Sequence, residues 1–231
     1  MKLSIVIPVL NEASTISSSL QKVLSLNGDF EVIVVDGGSE DGTQAIVESI
    51  ARPRHTLRLL ASPRGRAAQM NLGAEDATGD VLLFLHADTT LPEGAVRAIE
   101  VCLAQRAVVG GRFRVRLDMQ GWRFRMISSS INLRDRVFRG FTGDQAIFIR
   151  TGVFRTLGGF ADMPLMEDLD LAKRMCRAGN VVRLPMHVVT SARRWHEDGV
   201  FRTITLMWRL RLLYELGYPP AKLKRLYGET R

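Results

Sequence analysis

Cysteine is scarce in this chain of 231 residues, which contains only Cys102 and Cys176. Neither belongs to a Cys-X-X-Cys pair or to a Cys/His spacing typical of zinc sites, so a structural zinc site is not expected. Both lie in apolar segments that look helical. We therefore expect reduced, buried thiols, which fits a cytoplasmic protein.

Long hydrophobic runs are also lacking. The segment that comes closest to a membrane span, residues 204–216, is interrupted by Arg209, Arg211 and Glu215, and no purely apolar run reaches that length. The chain enters a strand pattern directly after its first residue, so we expect no cleaved leader. Peripheral contact with the inner face of the membrane stays open.

Two nucleotide-binding motifs are missing as well. No G-X-X-X-X-G-K-[ST] loop occurs, and the first strand-to-helix turn has no G-X-G-X-X-G, which argues against a kinase and against a dehydrogenase. Acidic residues are outnumbered by basic ones, giving a formal net charge of +8. That charge suits a nucleotide, a phosphorylated acceptor or a lipid surface. Since no long Lys/Arg run alternates with aromatic residues, we expect no nucleic-acid partner.

What is present is an alternation of short apolar runs and longer helical patterns. The first half predicts strands at 3–9, 30–35, 57–61 and 81–85, and helices at 12–26, 41–51, 66–75 and from Pro92 onward. Because the strands are continuous runs of Val, Ile and Leu, they favour a mostly parallel sheet covered by helices on both faces. The fold class is therefore α/β.

The second half has a less regular pattern. It predicts an edge or antiparallel strand at 108–117, strands at 146–150 and 181–184, and helices at 122–137, 166–178 and 200–216. We find no repeat or linker and expect one domain over 1–231. Within it, 1–106 would bind the nucleotide, 107–198 would bind the acceptor, and 199–231 would form a helical appendage.

Polar residues follow three of the predicted strands, at the edge where α/β sheets bind ligands. They lie in the segments 8–12 (PVLNE) after the first strand, 36–43 (DGGSEDGT) after the second and 86–89 (HADT) after the fourth. Polar loops and helix caps explain any one of these groups better than a binding site does. Three groups on one edge favour a binding site.

These motifs resemble family 2 glycosyltransferases of the GT-A fold, and more narrowly a small bacterial subgroup associated with arsenosugar biosynthesis. The segments that carry the resemblance, in family order, are 4–12 (SIVIPVLNE), 34–43 (VVDGGSEDGT), 64–74 (RGRAAQMNLGA), 79–88 (GDVLLFLHAD), 158–160 (GGF) and 167–168 (ED). The resemblance implies a Rossmann-like, three-layer αβα fold. It also implies inverting transfer of a sugar from a UDP- or GDP-sugar to an acceptor hydroxyl, assisted by Mg²⁺ or Mn²⁺.

The resemblance also assigns residues to the donor and the metal. The nucleotide-binding set is Pro8, Asn11, Glu12, Asp36, Gly38, Ser39, Arg66, Asn71, His86 and Ala87. Asp88 matches the second carboxylate of the family's Asp-X-Asp motif, but His86 stands where the first would be. An imidazole adds no negative charge, so metal affinity could be lower. His196 is a second expected metal ligand.

For the acceptor side, the resemblance assigns Asp168 as general base, with Glu167 beside it. The alternative is that these acids only favour a helix N-terminus. The remaining acceptor or diphosphate residues are Gly143, Asp144, Arg193, Arg194 and Trp195. Ser191 stands where processive relatives carry Gln, so polymer synthesis is not expected.

Two other functions remain open at this point, a sugar nucleotidyltransferase and a non-catalytic nucleotide-binding scaffold. The first would need a basic, Gly-rich loop after the first strand, where this chain has residues 8–12 (PVLNE). The basic segment 122–137 fits a solvated helix face, an anionic acceptor or a membrane. The apolar segment 200–216 fits packing on the domain, a homodimer or lipid.

Overall fold

The computed structural model describes residues 1–119, 140–191 and 200–228. An eight-stranded sheet forms its centre, in the order β3-β2-β1-β4-β7-β6-β8-β5. The strands are β1 (Leu3–Val9), β2 (Phe30–Asp36), β3 (Leu57–Ala61), β4 (Val81–Phe84), β5 (Thr89–Thr90), β6 (Val108–Leu117), β7 (Ile147–Arg150) and β8 (Asn180–Thr190). The first four strands are parallel, and β6 is parallel to β8. The sheet therefore runs through both predicted halves of the chain.

The described helices are α1 (Ile16–Leu24), α2 (Thr43–Ala51), α3 (Arg66–Asp76), α4 (Ala95–Leu103), α5 (Thr151–Thr156), α6 (Glu167–Ala178), α7 (Val200–Glu215) and α8 (Pro220–Gly228). Alternate side chains of one strand enter different cores, because successive residues point to opposite faces. Ile5 and Ile7 pack with Ile16 of α1 on one face. Val6 packs with Met70 of α3 and Leu171 of α6 on the other. The predicted three-layer α/β architecture is confirmed.

Three predicted helices begin later than their patterns indicated. The helix predicted from residue 12 begins at Ile16, because Asn11 has a left-handed φ of 55° and the N–H groups of Glu12 and Ala13 bind the second loop. The helix predicted from residue 41 begins at Thr43, whose N–H binds the Asp41 carboxylate. The helix predicted from Pro92 begins at Ala95, after a turn through Gly94 at φ +75°.

The strands of the second half also differ from their prediction. β6 was predicted to be an edge strand or an antiparallel strand. It is antiparallel to β7 and lies inside the sheet, not at an edge. β8 extends six residues beyond the predicted end at Leu184, because a register shift between Arg112 and Arg114 in β6 keeps the strands paired past Pro185. β5, α5, α8 and a short 3-10 helix (Gly143–Gln145) were not predicted.

The cysteines do not form a disulfide, and the expectation that both are buried was wrong. Cys102 is partly exposed and Cys176 is exposed, because Cys176 follows the buried Met175 and therefore lies on the outer face of α6. The whole of the predicted helix 122–137 lies outside the described residues. Among the described helices, none is long and apolar enough to cross a membrane.

Candidate active site

The loops after β1 and β2 form one hydrogen-bonded unit. The Asn11 N–H donates to Ser39 Oγ, and Asn11 Oδ1 accepts from the Glu40 N–H, both at 2.9 Å. The Glu12 N–H donates to Thr43 Oγ1 at the same distance. Because β1 and β2 are parallel and in register, their ends meet at one edge of the sheet. Three of the predicted donor-binding residues are therefore brought together.

Asp36 is buried at the centre of this unit. Its Oδ2 accepts from the N–H groups of Gly38 and Ser39, both at 2.9 Å, and from Gln44 Nε2 at 2.6 Å. The Ser39 hydroxyl donates to Oδ1. Burial alone raises the pKa of this carboxyl, but the four donors outweigh burial and the pKa lies below its usual value. Asp36 is thus ionised and holds the loop together. Any hydrogen bond to a nucleotide-sugar donor would be additional to these four.

Gln69, which was not predicted as a site residue, links α3 to the same loops. Its Nε2 donates to the carbonyls of Val9 and Val35, each at 2.8 Å, at the ends of β1 and β2. Gly37 leaves it room, since a Cβ there would lie 3.0 Å from the Gln69 amide. The available signal was an amide between Ala67 and Met70, on the helix face that enters the core.

The loop after β4 carries His86, Ala87 and Asp88. The Thr89 N–H donates to the His86 carbonyl at 3.0 Å, and the Asp88 carbonyl accepts from the Ser191 N–H at 3.2 Å. The turn after β4 is thereby fixed to the end of β8. Ala87 is buried, so the polar atoms that this loop offers come from its neighbours His86 and Asp88.

Gly143 connects this loop to the predicted base. Its N–H donates to Asp168 Oδ2 at 2.8 Å, and a Cβ at this position would lie 2.8 Å from His86 Nε2 and 3.7 Å from Asp168 Oδ2. The second Asp168 oxygen accepts from the Leu169 N–H at 2.7 Å. Gly143 therefore fits between the imidazole and the carboxylate because it has no side chain. Asp144 follows, held by the Thr142 hydroxyl.

The acidic pair Glu167 and Asp168 begins α6 at this edge. Burial and, to a smaller extent, the neighbouring Asp168 raise the pKa of Glu167 to about 7, against the opposing charge of Arg66. Burial also raises the pKa of Asp168, although its two backbone donors and Arg66 act against the shift. Arg66 Nη1 lies 3.8 Å from Glu167 Oε1. The site therefore joins a cation and two adjacent acids whose pKa values are both raised.

Asn71 has a different environment from the one expected of a nucleotide-binding residue. Its Nδ2 donates to the Phe160 carbonyl at 2.9 Å, and its Oδ1 accepts from the Phe160 N–H at 2.8 Å. This reciprocal pair connects α3 to the segment before α6. The donor contact assigned to Asn71 stays a prediction, without support in this geometry.

Metal ligands are few among the described residues. No group of three or more His, Cys, Asp or Glu side chains comes together in residues 1–119, 140–191 and 200–228. Pro8 is the last residue but one of β1, and its assignment to the donor site stays a prediction. The expected residues Arg193, Arg194, Trp195 and His196 lie outside the described part of the chain.

A family model described as Glycosyl transferase family 2 matches residues 4–159. A PGL/p-HBAD biosynthesis glycosyltransferase of Mycobacterium bovis is 32% identical over 194 residues, which cover 82% of this chain and 75% of the relative. Probable glycosyltransferase YdaM of Bacillus subtilis is 26% identical over 249 residues, covering 97% of this chain and 57% of the relative.

Two solved structures share the fold. Mannosyltransferase PcManGT from Pyrobaculum calidifontis, in complex with GDP-Man and Mn²⁺, has a TM-score of 0.69 and 22% identity, with 96% of this chain and 64% of that chain covered. S. aureus TarS in complex with UDP-GlcNAc has a TM-score of 0.68 and 19% identity, with 83% and 58% covered. This chain thus spans less than two thirds of either length, and at these identities the likeness is one of fold.

Proposed function

Because the chain belongs to glycosyltransferase family 2, we propose that it transfers a sugar from a nucleoside diphosphate donor to an acceptor hydroxyl, with inversion at the anomeric carbon. One observation carries the proposal. The Asp168 carboxylate, the expected base, accepts a hydrogen bond from the Gly143 N–H, and Gly143 also lies close to His86. His86 precedes the expected metal ligand Asp88 by two residues. The acidic and donor-side residues therefore lie along one edge of the sheet.

Asp168 is a better base than Glu167 on geometric grounds. Glu167 is buried and faces Arg66, whereas Asp168 is partly exposed and is aimed by two backbone N–H groups. In the proposed reaction the acceptor oxygen bonds to the anomeric carbon while its proton passes to Asp168. The bond from that carbon to the diphosphate oxygen breaks, and the nucleoside diphosphate leaves with the electron pair.

The donor would occupy the edge formed by the first two loops. Ser39 binds both the Asp36 carboxylate and the Asn11 N–H there, and Arg66 adds a positive charge at the start of α3. A diphosphate beside that guanidinium gains a charge-assisted contact. The relatives solved with GDP-Man and UDP-GlcNAc support a nucleotide-sugar donor of either base. The acceptor and the arsenosugar association stay predictions.

A divalent cation fits the residues at this edge. Mg²⁺ commonly binds through one or two carboxylates, with the other oxygens supplied by substrate phosphates and water. Asp88 offers one carboxylate, His86 offers an imidazole, and His196 is proposed as a further ligand. When bound, Mg²⁺ or Mn²⁺ would neutralise the charge that develops on the departing diphosphate.

Calorimetric titration with UDP and with GDP, each with and without Mn²⁺, tests the donor site. We expect one nucleotide to bind in a metal-dependent way, and Asp88→Asn to reduce that dependence. Asp162→Asn, an exposed carboxylate before α6, is the matched control and should bind normally. A folded protein that binds neither nucleotide would contradict the donor assignment.

Release of the nucleoside diphosphate from the preferred sugar donor then tests the base. Asp168→Asn should retain nucleotide binding and lose at least about 100-fold in turnover, because a positioned general base contributes a factor of this order or more. Undiminished turnover would show that Asp168 is not the base. Nucleotide binding by the native chain with no turnover on any sugar donor would favour a scaffold.

A further inference from the structure

The terminal helices carry an exposed apolar face. Seven large hydrophobic side chains are exposed among the described residues, and four of them lie within 208–218: Trp208, Leu212, Leu216 and Tyr218. Leu212 and Leu216 are 60% and 69% exposed, and the Leu216 N–H donates to the Leu212 carbonyl, so the two share one face. We call Leu212 and Leu216 the Leu212 face.

The rest of α7 anchors this face to the domain. Leu210 and Arg211 are buried on the inner side of the helix. Glu215 accepts from Arg211 at 3.2 Å and from Lys173 of α6 at 2.8 Å, and the Lys173 ammonium also lies 4.6 Å from the Tyr214 ring centre. α7 is therefore held against the helix that carries Asp168, and Leu212 and Leu216 on its other side are exposed.

The charge around the Leu212 face is strongly positive. Segment 200–228 contains six basic residues and one acidic residue, Glu215, which is already paired with Lys173 and Arg211. Arg209 is exposed and shares the helical side of Leu212, three residues away. The next helix, α8, adds the exposed side chains Lys222, Lys224 and Arg225.

We propose that this face docks the protein on an anionic lipid surface, with α7 lying in the plane of the interface. Apolar side chains bordered by Lys and Arg are the composition that binds lipid head groups and the adjoining acyl region. A symmetric homodimer through the same face fits less well, because its two-fold axis would bring two strongly positive segments together. Docking in this way does not depend on the proposed transfer reaction.

Vesicle co-sedimentation with phosphatidylglycerol/phosphatidylcholine mixtures and with pure phosphatidylcholine tests the proposal. The native chain should bind the anionic vesicles, bind the neutral ones far less, and lose affinity as salt rises. The double variant Leu212→Ser/Leu216→Ser should lose at least tenfold in vesicle affinity. Arg209→Ser/Lys222→Ser should lose about 25-fold on anionic vesicles, since each basic charge near such a surface contributes about fivefold.

Val101→Ser is the matched control, because Val101 is 57% exposed but lies on α4. It should leave vesicle binding unchanged. Thermal unfolding and nucleotide titration of each variant establish that the fold is retained. Three results would overturn the proposal: no binding of the native chain to anionic vesicles, equal binding by the Leu212→Ser/Leu216→Ser variant, or a native dimer in light scattering that this variant converts to monomer.

Discussion

Glu31 and Glu167 are each about 4% exposed and lie near opposite edges of the sheet. Their pKa values are nevertheless shifted in opposite directions. Burial raises the pKa of Glu31, but bonds from Ser4 and Thr78 and the charge of Arg58 lower it to about 2. Burial and the neighbouring Asp168 together raise the pKa of Glu167 to about 7. Glu31 has donors and cations that outweigh its burial, and Glu167 does not.

The partners of Glu31 satisfy its charge completely. Its Oε1 accepts from the Ser4 hydroxyl at 2.6 Å and from the Thr78 N–H and hydroxyl at 2.7 and 2.8 Å, while Arg58 and Lys2 lie 3.1 and 3.4 Å from Oε2. This carboxylate joins β1, β2 and the residues before β4 at the amino-terminal edge. It is a structural element of the fold.

Glu167 has a much poorer set of partners. The described contacts give it one ion pair, with Arg66 at 3.8 Å, and the neighbouring Asp168 repels its charge. A buried acid in this situation costs stability when it ionises and can hold a proton near neutral pH. The comparison teaches that Glu31, at the amino edge of the sheet, is a satisfied charge that stabilises the fold, whereas Glu167, at the carboxyl edge, is a buried acid whose charge is poorly satisfied.

Glu31→Gln should produce the largest effect on stability. The change keeps the shape but removes the charge facing Arg58 and Lys2, so we expect the free energy of unfolding at pH 7 to fall by about 3 kcal/mol. Because the folded-state pKa is lowered, this contribution is complete above pH 4.5 and disappears as the pH falls toward 2. Urea unfolding at pH 7 and pH 3, with the exposed Glu48→Gln as control, measures it. An unchanged midpoint at pH 7 would refute the structural role.

Glu167→Gln should have the opposite sign. Ionising this acid in the folded state is unfavourable, so the amide should raise the free energy of unfolding at pH 8 by roughly 1–3 kcal/mol. Because the folded-state pKa is raised, the native chain loses stability as pH rises from 4.5 to about 7, and the variant should not. Below pH 4.5 the two proteins should unfold alike. A variant that is less stable at pH 8 would show that the charge is paired and not repelled.

Gly143→Ala should have the smallest effect and should act on turnover. The new Cβ would lie 2.8 Å from His86 Nε2, so we expect the imidazole and the Asp168 carboxylate to shift and kcat to fall about tenfold. In a His86→Ala background the clash is absent, and adding Gly143→Ala should then cost much less. Gly152→Ala, where a Cβ has open space, is the control. Equal losses in both backgrounds would mean that the contact with His86 is irrelevant.

Much of the central fold could be predicted from periodicity. Continuous runs such as 3–9 and 30–35 can only be satisfied inside a sheet covered on both faces, and the structure has strands there. Helix starts were less predictable, because the N–H groups of Glu12 and Ala13 bind Thr43 and Asp41, about thirty residues away. Local patterns contain no information about such distant acceptors.

The candidate site divides in the same way. The residue types at the strand ends, among them Asp36, His86 and Asp88, could be selected from the sequence because parallel strands end at one edge. Gln69 could not, since its acceptors Val9 and Val35 are main-chain carbonyls of other strands. The close approach of Gly143 to His86 and Asp168 also depends on packing alone.

The sequence by itself determined the α/β class, the edge where the polar residues gather, and the family resemblance, since each depends on residue type and spacing along the chain. Only the tertiary structure decided which buried acids are stabilised as charges. Glu31 and Glu167 are the same residue type, and their pKa values differ because distant segments supply Ser4, Thr78 and Arg58 to Glu31, whereas Glu167 is buried beside Asp168 without a comparable set of donors. Electrostatic energies depend on distances in space, which the order of residues does not contain.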